Sequence, residues 1–276
     1  MASADGASDR FRHRAVLAVV LGLFDSGLGG LTVLRQLRER MPDADVLFFA
    51  DQKHMPYGDR APEDLMELMR NNVAWLNEQG VDAIVMACNT SCATASVHGW
   101  PSSQAPIYDL IDAAAEAVGK GGFDKIGVFA TVATVRAGAY TRAITKAEAD
   151  VAVTEIAAPA LVPLIERPQA SEMEIDAAVA AICDRLPRDV DAIVYGCTHY
   201  PLVDDSFVRA LGERIARIDP AVEQAERVSR VARASGLPGG RGATRFVTTG
   251  DLEAFRTRVG EASGRTFERA QDYTRM

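Results

Sequence analysis

Two cysteines carry the chemistry most directly legible in this 276-residue chain. Cys88 follows the run Val81-Asp82-Ala83-Ile84-Val85-Met86-Ala87, and Cys197 follows Val190-Asp191-Ala192-Ile193-Val194-Tyr195-Gly196, an offset of 197 − 88 = 109 residues. Each run reads as a buried strand, and open α/β sheets meet their ligands at the carboxyl ends of strands. Cys88 passes through Asn89-Thr90-Ser91 into helix-compatible sequence, so it sits at a strand-to-helix turn whose amides can lower a thiol pKa and hold an anion. Cys197 is followed by Thr198-His199-Tyr200-Pro201, and an imidazole two residues away can take or give the thiol proton. Two thiols brought to one pocket suit inversion at carbon, one removing a proton from one face while the other delivers a proton to the opposite face. A single catalytic cysteine would point instead to acyl transfer or stereospecific decarboxylation. Cys92 and Cys183 fall within helical segments, where cysteine is usually a small core residue.

Polar residues that could support the two thiols are plentiful. Asp25-Ser26 closes the first strand and could orient or deprotonate Cys88, and Gly27-Leu28-Gly29-Gly30 permits close backbone approach where the next helix starts. Thr131 and Thr134 occupy the corresponding turn of the second half. Glu166 ends the apolar run from Leu161, and taken alone it reads more readily as a solvated end residue.

The elements that must position these groups alternate along the chain. Strands are expected at Val19–Phe24, Val46–Ala50, Ala83–Ala87, Ile107–Leu110, Ile126–Ala130, Val151–Ile156, Ala192–Gly196 and Arg214–Ile218. Helices are expected at Leu31–Met41, Pro62–Gln79, Ser91–His98, Ile111–Val118, Val135–Ala149, Ser171–Leu186, Asp204–Gly212 and Ala221–Ala234. Such alternation predicts an α/β fold with mostly parallel sheets. The repeated VDAIV, and a weaker echo of Gly22-Leu23-Phe24 in Gly127-Val128-Phe129, predict two related, pseudo-symmetric halves.

Composition narrows the function classes. Hydrophobic residues at 48% and charged residues at 25% are those of an ordinary globular protein, and a net charge of −8 argues against general attraction to nucleic acid or acidic membranes. The four cysteines lack zinc-ligand spacing, and reduced thiols in a cytoplasmic protein are the simplest reading. Arg10, Arg12 and Arg14 precede the apolar run Ala15–Phe24, but no small-residue cleavage site follows and the run is too short to span a membrane. Residues 1–20 are therefore read as an N-terminal extension, partly disordered, leading into a buried first strand. A dinucleotide-binding oxidoreductase is the main rival from residue chemistry, because Gly27–Gly30 follows a strand and Asp51 follows the next. Thr32 in place of the third glycine, and the unexplained cysteine repeat, weigh against it. A non-catalytic binding protein is the third class.

At these residues the chain resembles the glutamate racemase family of the aspartate/glutamate racemase superfamily. The matching segments are FDSGLGGLTV (24–33), MPYGDR (55–60), ACNTSCA (87–93), TVATVRAGAY (131–140), PALVPLIE (159–166), GCTHYPL (196–202), IDPA (218–221) and FVTTGD (246–251), in family order. The resemblance implies two homologous domains, 21–112 with 222–276 and 113–221, with an active site in the cleft between them. It implies Cys88 and Cys197 as the acid/base pair, supported by Asp25, Glu166 and His199. It implies substrate contacts from Asp25, Ser26, Pro56, Tyr57, Gly58, Asn89, Thr90, Thr131, Thr134, Thr198 and His199, with neither metal nor pyridoxal phosphate. None of the four lysines, Lys53, Lys120, Lys125 and Lys146, lies in a motif suited to a Schiff base, in agreement. The implied substrate is glutamate, aspartate and hydantoin being the alternatives within the superfamily, and the implied role is D-glutamate supply for peptidoglycan. Homodimers are common among such proteins. Gln52-Lys53-His54 before MPYG, and Ala157-Ala158 before PALVPLIE, depart from the family pattern.

Overall fold

A computed structural model of the chain describes residues 19–235, 239–260 and 265–270; the expected N-terminal extension falls almost wholly outside the described residues. Two all-parallel sheets organise it. The first sheet contains β1 (Val20–Asp25), β2 (Asp45–Ala50), β3 (Ala83–Met86), β4 (Ile107–Tyr108), β9 (Thr244–Thr248) and β10 (Arg265–Arg269), in the order β10-β9-β2-β1-β3-β4. The second contains β5 (Lys125–Ala130), β6 (Ala152–Ala157), β7 (Ala192–Gly196) and β8 (Ala216–Ile218), in the order β6-β5-β7-β8. Its four strands repeat the order β2-β1-β3-β4 of the first sheet, so the expectation of two related α/β halves holds.

The repeat extends to register. Gly22 pairs with Ile84 in the first sheet and Gly127 pairs with Ile193 in the second. The aspartate inside each VDAIV has the same task. Asp82 Oδ2 accepts the Val20 amide at 2.9 Å, and Asp191 Oδ2 accepts the Lys125 amide at 2.9 Å. Each aspartate thus satisfies the first amide of its neighbouring strand and fixes where pairing begins. That places Cys88 and Cys197 at equivalent strand ends.

Helices cover both faces of the sheets, as parallel strands require. They are α1 (Gly30–Arg40), α2 (Pro62–Glu78), α3 (Asn89–His98), α4 (Leu110–Gly121), α5 (Val132–Ala137), α6 (Ala139–Ala147), α7 (Leu161–Glu166), α8 (Glu172–Cys183), α9 (Asp204–Leu211), α10 (Pro220–Ala234) and α11 (Leu252–Val259). Helices α4 and α10 pack on each other at the junction, α4 also touching α6 and α10 also touching α1.

Several elements differ from the sequence reading. The single helix expected over Val135–Ala149 is two, because Gly138 adopts φ 60° and caps α5 before α6 begins. The strand expected to reach Leu110 stops at Tyr108, since the Asp109 carboxylate accepts the Ile111 and Asp112 amides and starts α4. The apolar run before Glu166 is the short helix α7. Strands β9 and β10 were not expected, and Arg245 explains part of this. A charged residue in a central strand masks its apolar pattern, while Arg245 is paired at 2.6 Å with Glu268 of β10.

Candidate active site

The carboxyl ends of β1, β3, β5 and β7 converge on one cavity of about 60 Å³, room for several waters or one small ligand. Its lining takes Asp25, Ser26, Pro56, Tyr57, Gly58, Cys88, Asn89 and Thr90 from the first half, and Thr131, Cys197, Thr198 and His199 from the second. Met55, Asp59, Val132, Ala158, Pro159, Val162 and Pro163 complete it. No lysine or arginine lines it among the described residues.

Cys88 is the N-cap residue of α3, with extended backbone and a side chain that makes no capping hydrogen bond. Its thiol donates to Ser26 Oγ at 3.7 Å. Burial and the neighbouring Asp25 charge push it up to about 11, which holds it as a thiol at neutral pH. Asp25 lies beneath, its Oδ2 accepting the Gly30 amide at 2.8 Å and the Gly27 amide at 3.2 Å. Burial raises the Asp25 carboxyl against the His199 charge and those amides. Asp25 thus acts on Cys88 through its field, while Ser26 makes the contact.

On the second side Cys197 Sγ lies 3.7 Å from His199 Nδ1, and His199 Nε2 lies 2.7 Å from Glu166 Oε1. Burial disfavours the imidazolium, but the hydrogen bonds to Cys197 and Glu166 outweigh it and carry His199 to about 10. Burial likewise opposes the Glu166 charge, yet the His199 hydrogen bond and the His199 and Arg258 charges hold Glu166 below the usual carboxylate range. Glu166 is not a solvated end residue: it stands behind the cavity wall, bridging His199 and, across the two halves, Arg258 of α11. Thr134 is also behind the wall, its hydroxyl 2.9 Å from that of Thr131.

The two halves are joined by contacts among the motif residues themselves. Thr90 Oγ1 and Thr131 Oγ1 are 2.9 Å apart, and the Ala133 amide donates to the Gly58 carbonyl at 2.9 Å. Thr32 donates its hydroxyl to the Thr198 carbonyl at 3.0 Å. A Cβ on Gly29 would lie 2.5 Å from both His199 Nδ1 and Thr198 Oγ1, and one on Gly27 would lie 2.6 Å from Met55 Sδ. The glycines therefore admit the second half and the Met55 side chain, and those groups fill the space where a nucleotide pyrophosphate would approach. This removes the basis of the dinucleotide reading.

Sequence reasoning missed the residues that hold these groups in place. Asp51, noted only as an imitation of a nucleotide fingerprint, is fully buried and accepts from Tyr57 Oη, from Thr249 Oγ1 at 2.7 Å and from His54 Nδ1 at 2.8 Å. It ties the MPYG loop to FVTTGD, and the shared presence of two otherwise unexplained motifs was the available signal. Tyr140 of the second half donates to Asn89 Oδ1, which leaves the Asn89 amide nitrogen available to donate elsewhere. Arg258 had no sequence signal.

Paired parallel α/β halves, each ending an equivalent strand in a thiol at one cleft, define an acid–base enzyme rather than a nucleotide carrier. A family profile described as Asp/Glu/Hydantoin racemase matches residues 32–228, and the chain belongs to that family. It is similar to glutamate racemase of Desulforudis audaxviator, with 37% identity over 256 residues that cover 89% of this chain and 94% of that protein. Among solved structures it resembles a glutamate racemase isoform from Bacillus anthracis, with TM-score 0.82, 29% identity and coverage of 87% and 92% of the two chains. It also resembles glutamate racemase from Francisella tularensis in complex with D-glutamate, with TM-score 0.78, 26% identity and coverage of 87% and 91%.

Proposed function

We infer that this chain is a glutamate racemase that inverts the α-carbon with two cysteine thiols and no cofactor. The observation that carries the reading is the pair Cys88 and Cys197, drawn from equivalent strand ends of the two halves and lining one cavity. Glutamate as substrate is supported by relatives that carry that activity in their names and by the D-glutamate held in the Francisella tularensis structure.

In one direction Cys197, as a thiolate beside the His199 imidazolium, takes the α-proton. The C–H electron pair passes into the substrate carboxylate as an enediolate, and Cys88, held as a thiol, delivers its proton to the opposite face as the pair returns to carbon. In the reverse direction the roles exchange. Asp25 sets the field at Cys88, and Glu166 holds His199. Ser26, Asn89, Thr90, Thr131 and Thr198 offer neutral donors to the two substrate carboxylates, with Pro56, Tyr57 and Gly58 closing the cavity and Thr134 fixing Thr131. An anion held by amides and hydroxyls near the start of α3 needs no lysine or arginine. The domains take the boundaries 21–112 with 222–276 and 113–221; the limits at 112 and 221 fall inside α4 and α10.

The product is D-glutamate for peptidoglycan, made in the cytoplasm by a homodimer. Four unpaired cysteines accord with that compartment, and no helix among the described residues is long and apolar enough to cross a membrane. The test is optical rotation of L-glutamate, L-aspartate and a hydantoin in separate samples without added cofactor. Loss of rotation with glutamate is expected. Loss only with another substrate would move the assignment within the family, and no loss in any sample of folded, reduced protein would refute it.

A further inference from the structure

We propose that Ser91 is a catalytic residue of the first thiol, donating its hydroxyl hydrogen to Cys88 Sγ whenever that sulfur is a thiolate. Ser91 is the third residue of α3, and Cys88 is the cap. The third residue of a helix faces the N-cap side chain across the first turn, so Ser91 lies next to the reacting sulfur, which makes no capping hydrogen bond of its own. The Ser91 side chain is fully buried, and its hydroxyl has no hydrogen-bond partner in the structure. Its neighbours behave differently. Thr94 donates to the Thr90 carbonyl at 2.8 Å, Ser96 donates to the Ala93 carbonyl at 2.8 Å, and Thr90 is engaged with Thr131. A helical serine ordinarily returns its hydroxyl to the preceding turn, so an idle buried one needs a reason.

The reason lies in the two protonation states of Cys88. As a thiol it is a donor, and Ser26 Oγ accepts its hydrogen. It is in that state before it delivers its proton to the substrate, or after it has taken the α-proton in the reverse direction; after it has given its proton away, the sulfur is an acceptor in a site that burial and Asp25 make hostile to negative charge. The Ser91 hydroxyl and amide, and the Ser26 hydroxyl, are the groups that act against those two effects. Among the described residues Cys197 has no hydroxyl partner. At the 109-residue offset Ser91 corresponds to Tyr200, whose hydroxyl donates to the Ala158 carbonyl at 3.4 Å, and Cys197 has His199 instead. The pair is therefore chemically asymmetric: imidazolium on one side, hydroxyl and amide on the other.

This assignment rests on the two-thiol reading for its catalytic meaning, but its test does not. In Ser91→Ala, modification of each cysteine by a small neutral thiol reagent is followed at about pH 8.5 by peptide mass spectrometry. Loss of one hydrogen bond to a thiolate lowers the thiolate fraction by about tenfold, partly offset by the greater nucleophilicity of a more basic sulfur. Cys88 is expected to react about 3- to 10-fold more slowly than in the parent protein, with Cys197 unchanged and thermal stability equal or higher. The kcat/KM for racemisation is expected to fall about tenfold. An unchanged Cys88 rate, an equal slowing of Cys197, or a lowered melting temperature would overturn the proposal, the last because it would give the hydroxyl a structural partner. A slowed Cys88 in a protein without racemase activity would keep the hydrogen bond and remove only the function built on it.

Discussion

Gly29→Ala isolates the contact between the two halves at the active site. Gly29 has φ −55° and ψ −35°, a conformation alanine adopts without strain, so any effect comes from the added methyl. That methyl would stand 2.5 Å from His199 Nδ1 and Thr198 Oγ1, where ordinary contact begins at 3.4 Å, so about 3.4 − 2.5 = 0.9 Å of separation must be found. His199 cannot retreat by that much and keep both its 3.7 Å contact to Cys197 and its 2.7 Å bond to Glu166. A displacement near 1 Å at a catalytic group costs about 100-fold in rate, and overpacking costs about 1–3 kcal/mol of stability. The assay is initial-rate loss of optical rotation from L-glutamate, with thermal unfolding measured on the same sample. Because mirror-image isomers have equal free energy, kcat/KM must fall by the same factor from D-glutamate. Near-native kcat/KM in folded Gly29→Ala protein would refute the claim that this glycine exists to admit His199.

Cys88→Ser and Cys197→Ser should each nearly abolish racemisation while leaving the melting temperature within a few degrees, since a hydroxyl is too weak an acid to replace a thiol; substantial turnover in either would contradict the two-thiol scheme. His199 is raised from 6.5 to about 10, so its charged form contributes stability that is full below about pH 6.5 and is lost as pH rises through about 10. Thermal unfolding at pH 7 and pH 10 should therefore show a larger drop in the parent protein than in His199→Asn, and equal drops would show that the imidazolium is not favoured by folding. Arg258→Ala frees Glu166 to rise toward the ordinary carboxylate range, which should move the acid arm of the pH–rate profile to higher pH and lower kcat/KM about threefold, with recovery in Arg258→Lys. High salt should produce part of the same change in the parent protein.

The repeated VDAIV run was enough to predict paired halves because its residues have fixed tasks: the aspartate caps a neighbouring strand, the apolar residues fill a buried sheet, and the next turn presents a cysteine. The motifs likewise named most of the cavity, since glycines and hydroxyls that pack across the two halves leave little freedom of residue type. Long-range partners were not legible. Asp51 acquires its role only when Tyr57 and Thr249, 198 residues from Asp51, are folded against it. Glu166 reads as a surface residue until His199 and Arg258 are placed beside it. Gly138 broke an expected helix because periodicity registers the apolar face and not a left-handed residue within it. Ser91 is silent in sequence because its distinction is a hydrogen bond it does not make.

The most direct test of two thiols acting on opposite faces is racemisation of protiated L-glutamate in D₂O, read at early conversion. α-Proton NMR and chiral analysis would follow substrate and product separately. Delivery from a second, solvent-equilibrated thiol predicts D-glutamate carrying deuterium at the α-carbon while the remaining L-glutamate stays protiated. D-glutamate that retained the original α-proton would mean that one group removed and returned it, and the two-thiol account would be wrong.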